Sequence, residues 1–436
     1  MKWYSVSMKI LSIETSCDET GISILESASA EATEQSGEIA LLGNALASQI
    51  ALHAQYGGVF PAMAKRAHAE KIVPLILDAL AQAGLLRSEG GNGGNQNADV
   101  IKSLCTKEEV MAEAFIDFFN SFQKPDIDSV AVTVGPGLEP ALWVGINAAK
   151  VLSIVWDIPV IPVNHMEGHV VTAAVIEHEE KARGHLYGPD GRLVVARKEQ
   201  KDAPDLSTII KSYEFRNLQF PLLALLVSGG HTELVLTKNY GQYEKIGQTR
   251  DDAVGEAFDK VARMLGLPYP GGPAVSKMAK EFRLKDIENS FELPRPMLHS
   301  QDYDFSFSGI KTAVLYTIRD LGHELSGEEK LALAAAFEDA VVEVLIKKTI
   351  RAAEEFHIQT IVVGGGVSGN NFLKEQLTAA VQKKIPRATV LFPEPWLATD
   401  NAIMIGLAAF ARVKTGSLVT QDATTLRANG NLSISE

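Results

Sequence analysis

Two periods of apolar positions divide this chain into alternating strands and helices. Residues 9–15 (KILSIET) read as a buried strand, 16–21 (SCDETG) as a polar turn, 22–25 as a returning strand and 40–48 as a third extended run. Across 62–83 the residues Ile72, Val73, Leu75, Ile76, Ala79 and Leu80 keep the helical period, and Gly84 supplies the stop. Residues 127–134 form another strand, ending in Gly135-Pro136-Gly137. That turn suits close backbone approach to a ligand, and it is equally common as packing punctuation. A helix at 141–156, a strand at 160–163 and an amphipathic run from His165 to Ile176 complete this half.

The order then repeats. Residues 220–228 (FPLLALLVS) are a strand, Gly229-Gly230-His231 turn it, 232–237 return, 243–248 give a third strand and 253–265 a helix. A helix at 330–356, a strand at 360–363, the turn Gly364-Gly365-Gly366, a helix at 371–383, a strand at 388–392 and a helix at 400–413 follow. A βββαβαβα order occurring twice marks an internal duplication. It predicts an α/β chain of two duplicated actin-like (ASKHA, ribonuclease H-like) domains, each a mixed sheet with helices on both faces, and a ligand in the interdomain cleft. The expected divisions are 8–163, 164–399, and 400–436 for a last helix returning to the first domain and its tail. Two stretches break the pattern and read as insertions. Residues 87–124 contain a low-complexity tract at 90–97, expected to be flexible, and a helical pattern at 107–122. Residues 177–219 are charged, have no clear period and read as a surface excursion.

Composition narrows the class. A chain of 436 residues exceeds one ordinary core. It has no apolar run long enough to span a membrane and no signal-like N-terminus; residues 1–7 read as a short disordered extension. Two cysteines, Cys17 and Cys105, suit neither a disulfide framework nor a thiolate metal site, and a reducing cytoplasm is the expected location. The net charge of −13 repels nucleic-acid phosphates. Action on RNA would need a local basic patch or a partner supplying one. Lys65, Arg66 and Lys71 are one candidate cluster, or simply a solvated helix face.

His165 and His169 carry the first candidate chemistry. On a helix, positions four apart share a face with Cβ atoms roughly 5–6 Å apart, and one metal ion about 2.0–2.1 Å from each imidazole nitrogen can sit between them. Two half-buried histidines capping a core helix would give the same pattern.

The motifs ETSCDETG (14–21), HAEKIVPLI (68–76), GPGL (135–138), NHMEGH (164–169), LALLVSGGHTEL (223–234), GQTRDDAVGEAFDKVARMLGLPYPGGP (247–273), FSFSGIKTA (305–313), GGGVSGN (364–370) and TDNAIMIG (399–406) follow one another in order. Together they resemble the TsaD family, the threonylcarbamoyl transferases that modify tRNA, over nearly everything except residues 1–7 and the two insertions. The long 247–273 block is similar to the bacterial and organellar branch. The resemblance implies transfer of threonylcarbamoyl from threonylcarbamoyl-AMP to N6 of the adenosine 3′-adjacent to the anticodon, in tRNAs reading codons that begin with A, with AMP released. It implies metal ligands at His165, His169 and Asp400, and substrate contacts from Leu226, Val227, Ser228, Gly229, Gly230, Asp259, Gly272 and Asn370. Asn371 stands beside Asn370, so that assignment carries a one-residue ambiguity. The implied partners are tRNA, a shorter TsaB-like paralogue and a small TsaE-like ATPase.

The chemistry needs groups of these kinds. The donor is a mixed carbamic–phosphoric anhydride, and an adenine amino group is a poor nucleophile, so orientation and charge stabilisation matter more than a strong base. Two histidines and a carboxylate leave coordination positions open, a set that suits one divalent metal, Fe(2+) ahead of Zn(2+). An open metal can polarise the reacting carbonyl. Asp400 is also an N-cap type of residue, and one oxygen can serve each role. The Ser228-Gly229-Gly230 hairpin, with the turns at 271–272 and 364–366, reads as an AMP cradle, where side chains would block approach. Asp259 is placed to accept from ribose hydroxyls. Asp18 and Glu19 in the first hairpin would deprotonate or orient the amine. His231 reads as structural and Cys17 as a small core residue without an activating base. A kinase-like ATPase would share the fold but not need two histidines on one helix. A peptidase would need H-E-x-x-H, whereas Glu167 points about 200° round the helix from His165. A non-catalytic scaffold of this fold would have lost these motifs.

Overall fold

In the computed structural model, Met8–Glu14 (β1), Glu19–Ser27 (β2) and Glu38–Ser48 (β3) form an antiparallel meander. Ser129–Gly135 (β4) and Val160–Asn164 (β5) add to β1 in parallel. Val175–Ala182 (β6) and Thr208–Phe215 (β7) extend the far edge, giving the order β5-β4-β1-β2-β3-β7-β6. Leu222–Val227 (β8), Thr232–Asn239 (β9) and Gln242–Gln248 (β10) form a second meander, with Thr360–Gly364 (β11) and Thr389–Leu391 (β12) parallel to β8. Its order, β10-β9-β8-β11-β12, repeats β3-β2-β1-β4-β5. The duplicated α/β architecture is therefore present strand for strand. The residues described are 7–27, 38–88, 93–182 and 208–436. The expected extension at 1–7, apart from Ser7, lies outside them, as do 90–92 of the low-complexity tract and 183–207 of the second insertion.

Central strands such as β8, LLALLV, carry unbroken apolar runs because helices cover both faces. On one face of the first sheet, Leu11, Ile13 and Val132 pack against Pro61–Gln82 (α1) and Glu139–Trp156 (α2). His165–Thr172 (α3) packs Met166 and Val170 onto Ala224 and Leu226 of the second sheet. The opposite face of that sheet is covered by Val254–Met264 (α4), Gly271–Arg283 (α5), Gly327–Glu355 (α6) and Asn371–Lys384 (α7). Ala402–Thr415 (α8) lies on the remaining face of the first sheet, against Ile10, Leu25, Ala131 and Ile161. A side chain at Gly168 would run into Met404, so α3 and α8 meet closely in the seam between the sheets.

Several expectations change. The run from His165 to Ile176 stops being helical at Thr172, because Val175 and Ile176 pair with Phe215 and Glu214. The described ends of the second insertion are regular, since β6 and β7 pair with each other and β7 pairs with β3 of the first sheet; the residues between them lie outside those described. In the tract expected to be flexible, Gly93–Gln96 is a short helix whose Asn95 is hydrogen-bonded to Asn120. After α8 the tail crosses back over both sheets. Gln421 N donates to Val160 O, Asn429 N to Val134 O, and Lys245 N to Ser435 Oγ, while Ile434 is buried against the second sheet.

Candidate metal centre and cleft

His165 follows β5 directly. Asn164 caps α3 by accepting from Met166 N at 2.9 Å, which fixes both histidines on one helix. The rings of His165 and His169 are 4.7 Å apart between centroids. Asp400 comes from the turn before α8, and its Oδ1 lies 3.5 Å from His165 Nε2 and 3.2 Å from His169 Nε2. One ligand atom from each of the three residues lies within 4.8 Å of the others, the spacing expected around a single cation. The fully buried His169 has no partner for Nδ1 among the described residues, and its Nε2 faces only the Asp400 carboxylate. A buried imidazole left unsatisfied is costly unless a ligand completes it. The residues therefore fit a metal. The cap of α8 is Asn401, which accepts from Met404 N at 3.0 Å, and not Asp400. The Asp400 carboxylate is thus free of capping duty, contrary to the shared role expected of it.

Behind the ligands stands Glu14, the first residue of the ETSCDETG motif, to which the sequence reading assigns no role. It ends β1, is fully buried, and its Oε2 lies 3.2 Å from His165 Nδ1; Ser16 Oγ is 3.1 Å from the same nitrogen. With a proton held on Nδ1 by these groups, a cation bound at Nε2 would displace the proton there that Asp400 otherwise stabilises. Burial would lower the His165 imidazole, but Asp400 and Glu14 outweigh it and raise it to about 9. Burial pushes the Asp400 carboxyl up, yet His165 and His169 hold it well below the usual carboxylate range. His231 is pushed down to about 4 by burial and then by the two ligand histidines. It lines the cleft rather than serving the core.

The cleft between the sheets has a volume of about 1510 Å³. It brings together Asp18, Glu19, Ser228, Gly229, Gly230, Asp259, Gly272, Asn370, His165 and Asp400. Leu226 and Val227 stand apart: their side chains are fully buried in the cores on opposite faces of β8. A Cβ added at Gly229, Gly230, Gly272, Gly366 or Gly369 would meet no protein atom within 4 Å, so the space beside them is open. The glycines of the first turn differ. Side chains at Gly135 and Gly137 would strike the carbonyls of Asn429 and Ser16, so the close approach there is made by the protein's own tail and first hairpin.

Asp259 Oδ1 accepts from Gly271 N at 2.7 Å, holding the start of α5 against α4. Asn370 caps α7 through Leu373 N at 2.8 Å and donates to Ser276 Oγ and Glu338 Oε1 at 3.0 and 2.7 Å, so it ties three helices at the cleft wall. Glu19 is raised to about 9 by burial and then by Asp18 and Asp400. Two members of the basic cluster expected from sequence are already paired, Lys65 with Glu108 at 2.6 Å and Arg66 with Glu70 at 3.0 Å, while Lys71 is exposed.

A model of the family described as TsaD, tRNA N6-adenosine threonylcarbamoyltransferase, matches residues 40–89, 107–185 and 205–407. A tRNA N6-adenosine threonylcarbamoyltransferase from Ralstonia pickettii (strain 12J) is 38% identical over 418 residues, 95% of this chain and 94% of the relative. Among solved structures, HypF from T. kodakarensis aligns at 13% identity with a TM-score of 0.45, over 72% of this chain and 44% of that one. A full-length HypF in the phosphate- and nucleotide-bound form gives 14% and 0.45, over 72% and 51%.

Proposed function

The chain belongs to the TsaD family, the tRNA N6-adenosine threonylcarbamoyltransferases, and on that premise we propose how its cleft performs the transfer. In the proposed reaction N6 of the target adenine attacks the carbamoyl carbon of threonylcarbamoyl-AMP. A C–N bond forms, the C–O bond to phosphate breaks, AMP leaves with the electron pair and N6 loses one proton. The observation that carries this reading is the juxtaposition of the His165, His169 and Asp400 donors with an open, glycine-lined cleft.

His165, His169 and Asp400 would hold one divalent metal, with Fe(2+) preferred over Zn(2+) for a His/His/carboxylate set with open positions. Such a metal supplies Lewis acidity to the carbamoyl oxygen. The rest falls to the chain. Backbone N–H groups of Gly229 and Gly230 cradle the phosphate, while Ser228 N donates to His231 O at 2.9 Å and, with the strand residues Leu226 and Val227, positions that turn. The second oxygen of Asp259 accepts from a ribose hydroxyl, Gly272 leaves room for the nucleoside, and Asn370 holds the wall against it. Glu19, uncharged at neutral pH by virtue of its raised value, orients the amine as a hydrogen-bonding acid, and Asp18 takes the proton.

We take 8–163 and 164–399 as the two repeats, the second lending its β6–β7 hairpin to the first sheet, with 400–436 returning to the first. We propose that a TsaB-like paralogue and a TsaE-like ATPase complete the system, as the family resemblance implies. A cytoplasmic setting accords with two unpaired cysteines and with the absence, among the described residues, of any helix long and apolar enough to cross a membrane.

The test is mass-spectrometric measurement of N6-threonylcarbamoyladenosine in an unmodified tRNA incubated with the protein, its partners and the adenylate. Formation that is lost in His165→Ala supports the reading; unchanged formation in that variant sinks the role given to the histidines.

A further inference from the structure

We propose that the exposed face of α5, through Lys277 and Lys280, grips the phosphate backbone of the tRNA anticodon loop and leaves only the target base free to enter the cleft. This rests on the tRNA-modifying function of the family. Pro273, Ser276, Lys277 and Lys280 all line the cleft, and their spacing puts them on one side of the helix. Lys277 and Lys280 are exposed, and their ammonium groups have no ion pair or hydrogen bond among the described residues. Other cations along the same wall are engaged. Lys260 pairs with Asp252 and Glu256 at 2.7 and 2.8 Å, and Arg283 with Glu338 and Asp339 at 2.7 and 2.6 Å. In a chain of net charge −13, two unengaged lysines three residues apart at a cleft mouth stand out as an anion-binding feature.

The floor has the opposite sign. Asp18, Asp259 and the ligand Asp400 line the cleft, and Glu375 lies across from α5 on α7. Backbone phosphates of the tRNA are drawn to the α5 lip and disfavoured near the floor carboxylates, where only the donor phosphate has backbone N–H groups to meet it. A neutral adenine suffers no such repulsion and can pass inward. A base in a loop is also the least costly to unstack. The opposite lip belongs to the first half. Arg263 on α4 donates to the carbonyl of Gly57, joining the two halves at the mouth. Beside that contact Tyr56 and Phe60 are 57% and 54% exposed. They offer ring faces for neighbouring loop bases, whose stacking is insensitive to salt and to base identity. Phosphate contacts thus set the register, and the cleft reads the base.

The experiment measures binding of an unmodified tRNA transcript as a function of salt, with the same metal and partner proteins throughout. For Lys277→Gln/Lys280→Gln the slope of log affinity against log salt should become shallower by about 1.4, at roughly 0.7 for each single-strand phosphate no longer neutralised. The KM for tRNA should rise while metal content and kcat at saturating tRNA stay unchanged. Tyr56→Ser should weaken binding at every salt concentration without altering the slope. Lys238→Gln, whose lysine pairs with Glu244 on the second sheet, is the control and should match the parent. An unchanged slope in the double variant, or an equal change in the control, overturns the proposal. Absence of tRNA modification by the parent protein would instead count against the family function itself, so the two failures are distinguishable.

Discussion

Arg412 of α8 is clamped to Glu167 of α3, and this pair joins the two elements that bring the metal ligands together. Arg412 Nε donates to Glu167 Oε1 at 3.0 Å and Nη2 donates to Oε2, while Tyr243 Oη donates to Oε1 at 3.0 Å. Glu167 lies between His165 and His169 in sequence and is fully buried. The residue that a peptidase reading would have made a general base is therefore committed to holding a helix. Removing Arg412 leaves a buried uncompensated carboxylate, at a cost of about 3–5 kcal/mol. Arg412→Met should lower the denaturation midpoint accordingly and weaken metal binding. The double variant Arg412→Met/Glu167→Gln should recover much of the stability, and chemical denaturation checks both.

Glu14 would act on a bound metal through His165, whose Nδ1 it faces at 3.2 Å. Glu14→Gln should retain the fold and reduce metal affinity by about 10–100-fold, the usual effect of losing a carboxylate behind a histidine ligand. His169→Ala removes a ligand and should abolish stoichiometric binding. Metal analysis and thermal shift with added Fe(2+) or Zn(2+) separate the outcomes; equal affinity in Glu14→Gln and parent would show that the carboxylate does not orient the ring.

Glycines of two kinds give opposite predictions. Gly365 has φ +88° and sits against the Val227 carbonyl, so Gly365→Ala should destabilise by at least about 1–2 kcal/mol. A Cβ at Gly230 meets no protein atom. Gly230→Ala should leave the melting temperature unchanged and raise the KM for the adenylate. A loss of stability without any change in KM would remove the cradle assignment.

Asp251 sets an acid limit on one part of the second half. It accepts from Phe307 N at 2.8 Å, Ser308 N at 3.2 Å and the hydroxyls of Ser306 and Ser308 at 2.5 and 2.6 Å. Partial burial opposes ionisation, but these bonds outweigh it and hold the carboxyl below its ordinary 3.8. A depressed folded value means the stabilisation is complete above the unfolded value and is lost as pH falls through the folded one. The melting-temperature gap between parent and Asp251→Asn should be constant at neutral pH and close below about pH 3.8. A gap that widened on acidification would contradict the sign.

The repeated strand order is legible in the sequence because the period of each strand and helix is a local property. His165 and His169 are legible as a pair for the same reason, since four residues on a helix fix their geometry. Asp400 is not: it lies more than two hundred residues away, and only the family resemblance supplies it. Glu14 stays hidden because a single acid at a strand end carries no period. Lys65 and Arg66 draw attention ahead of the lysines of α5, because sequence shows where charges stand but not which are already paired. The cap of α8 is misassigned from sequence because Asp400 and Asn401 are both good caps, and only the backbone decides which occupies the position.

The tail from Gln421 to Ser435 has a mechanical consequence. Its backbone is bonded to β4 and β5 on one side and reaches β10 on the other, with Asn164 Nδ2 donating to Ser433 O at 3.2 Å between them. Two bodies sewn together along one edge can rotate about the stitching but cannot slide past each other. Opening of the cleft would therefore be a rotation about an axis beside the cap of α3, and it would have to break the Arg263–Gly57 contact at the mouth. The two histidines lie near that axis, where displacement is smallest, and the distant lips travel furthest. A wide-mouthed cleft can thus admit and release a macromolecule while the ligand helix scarcely moves.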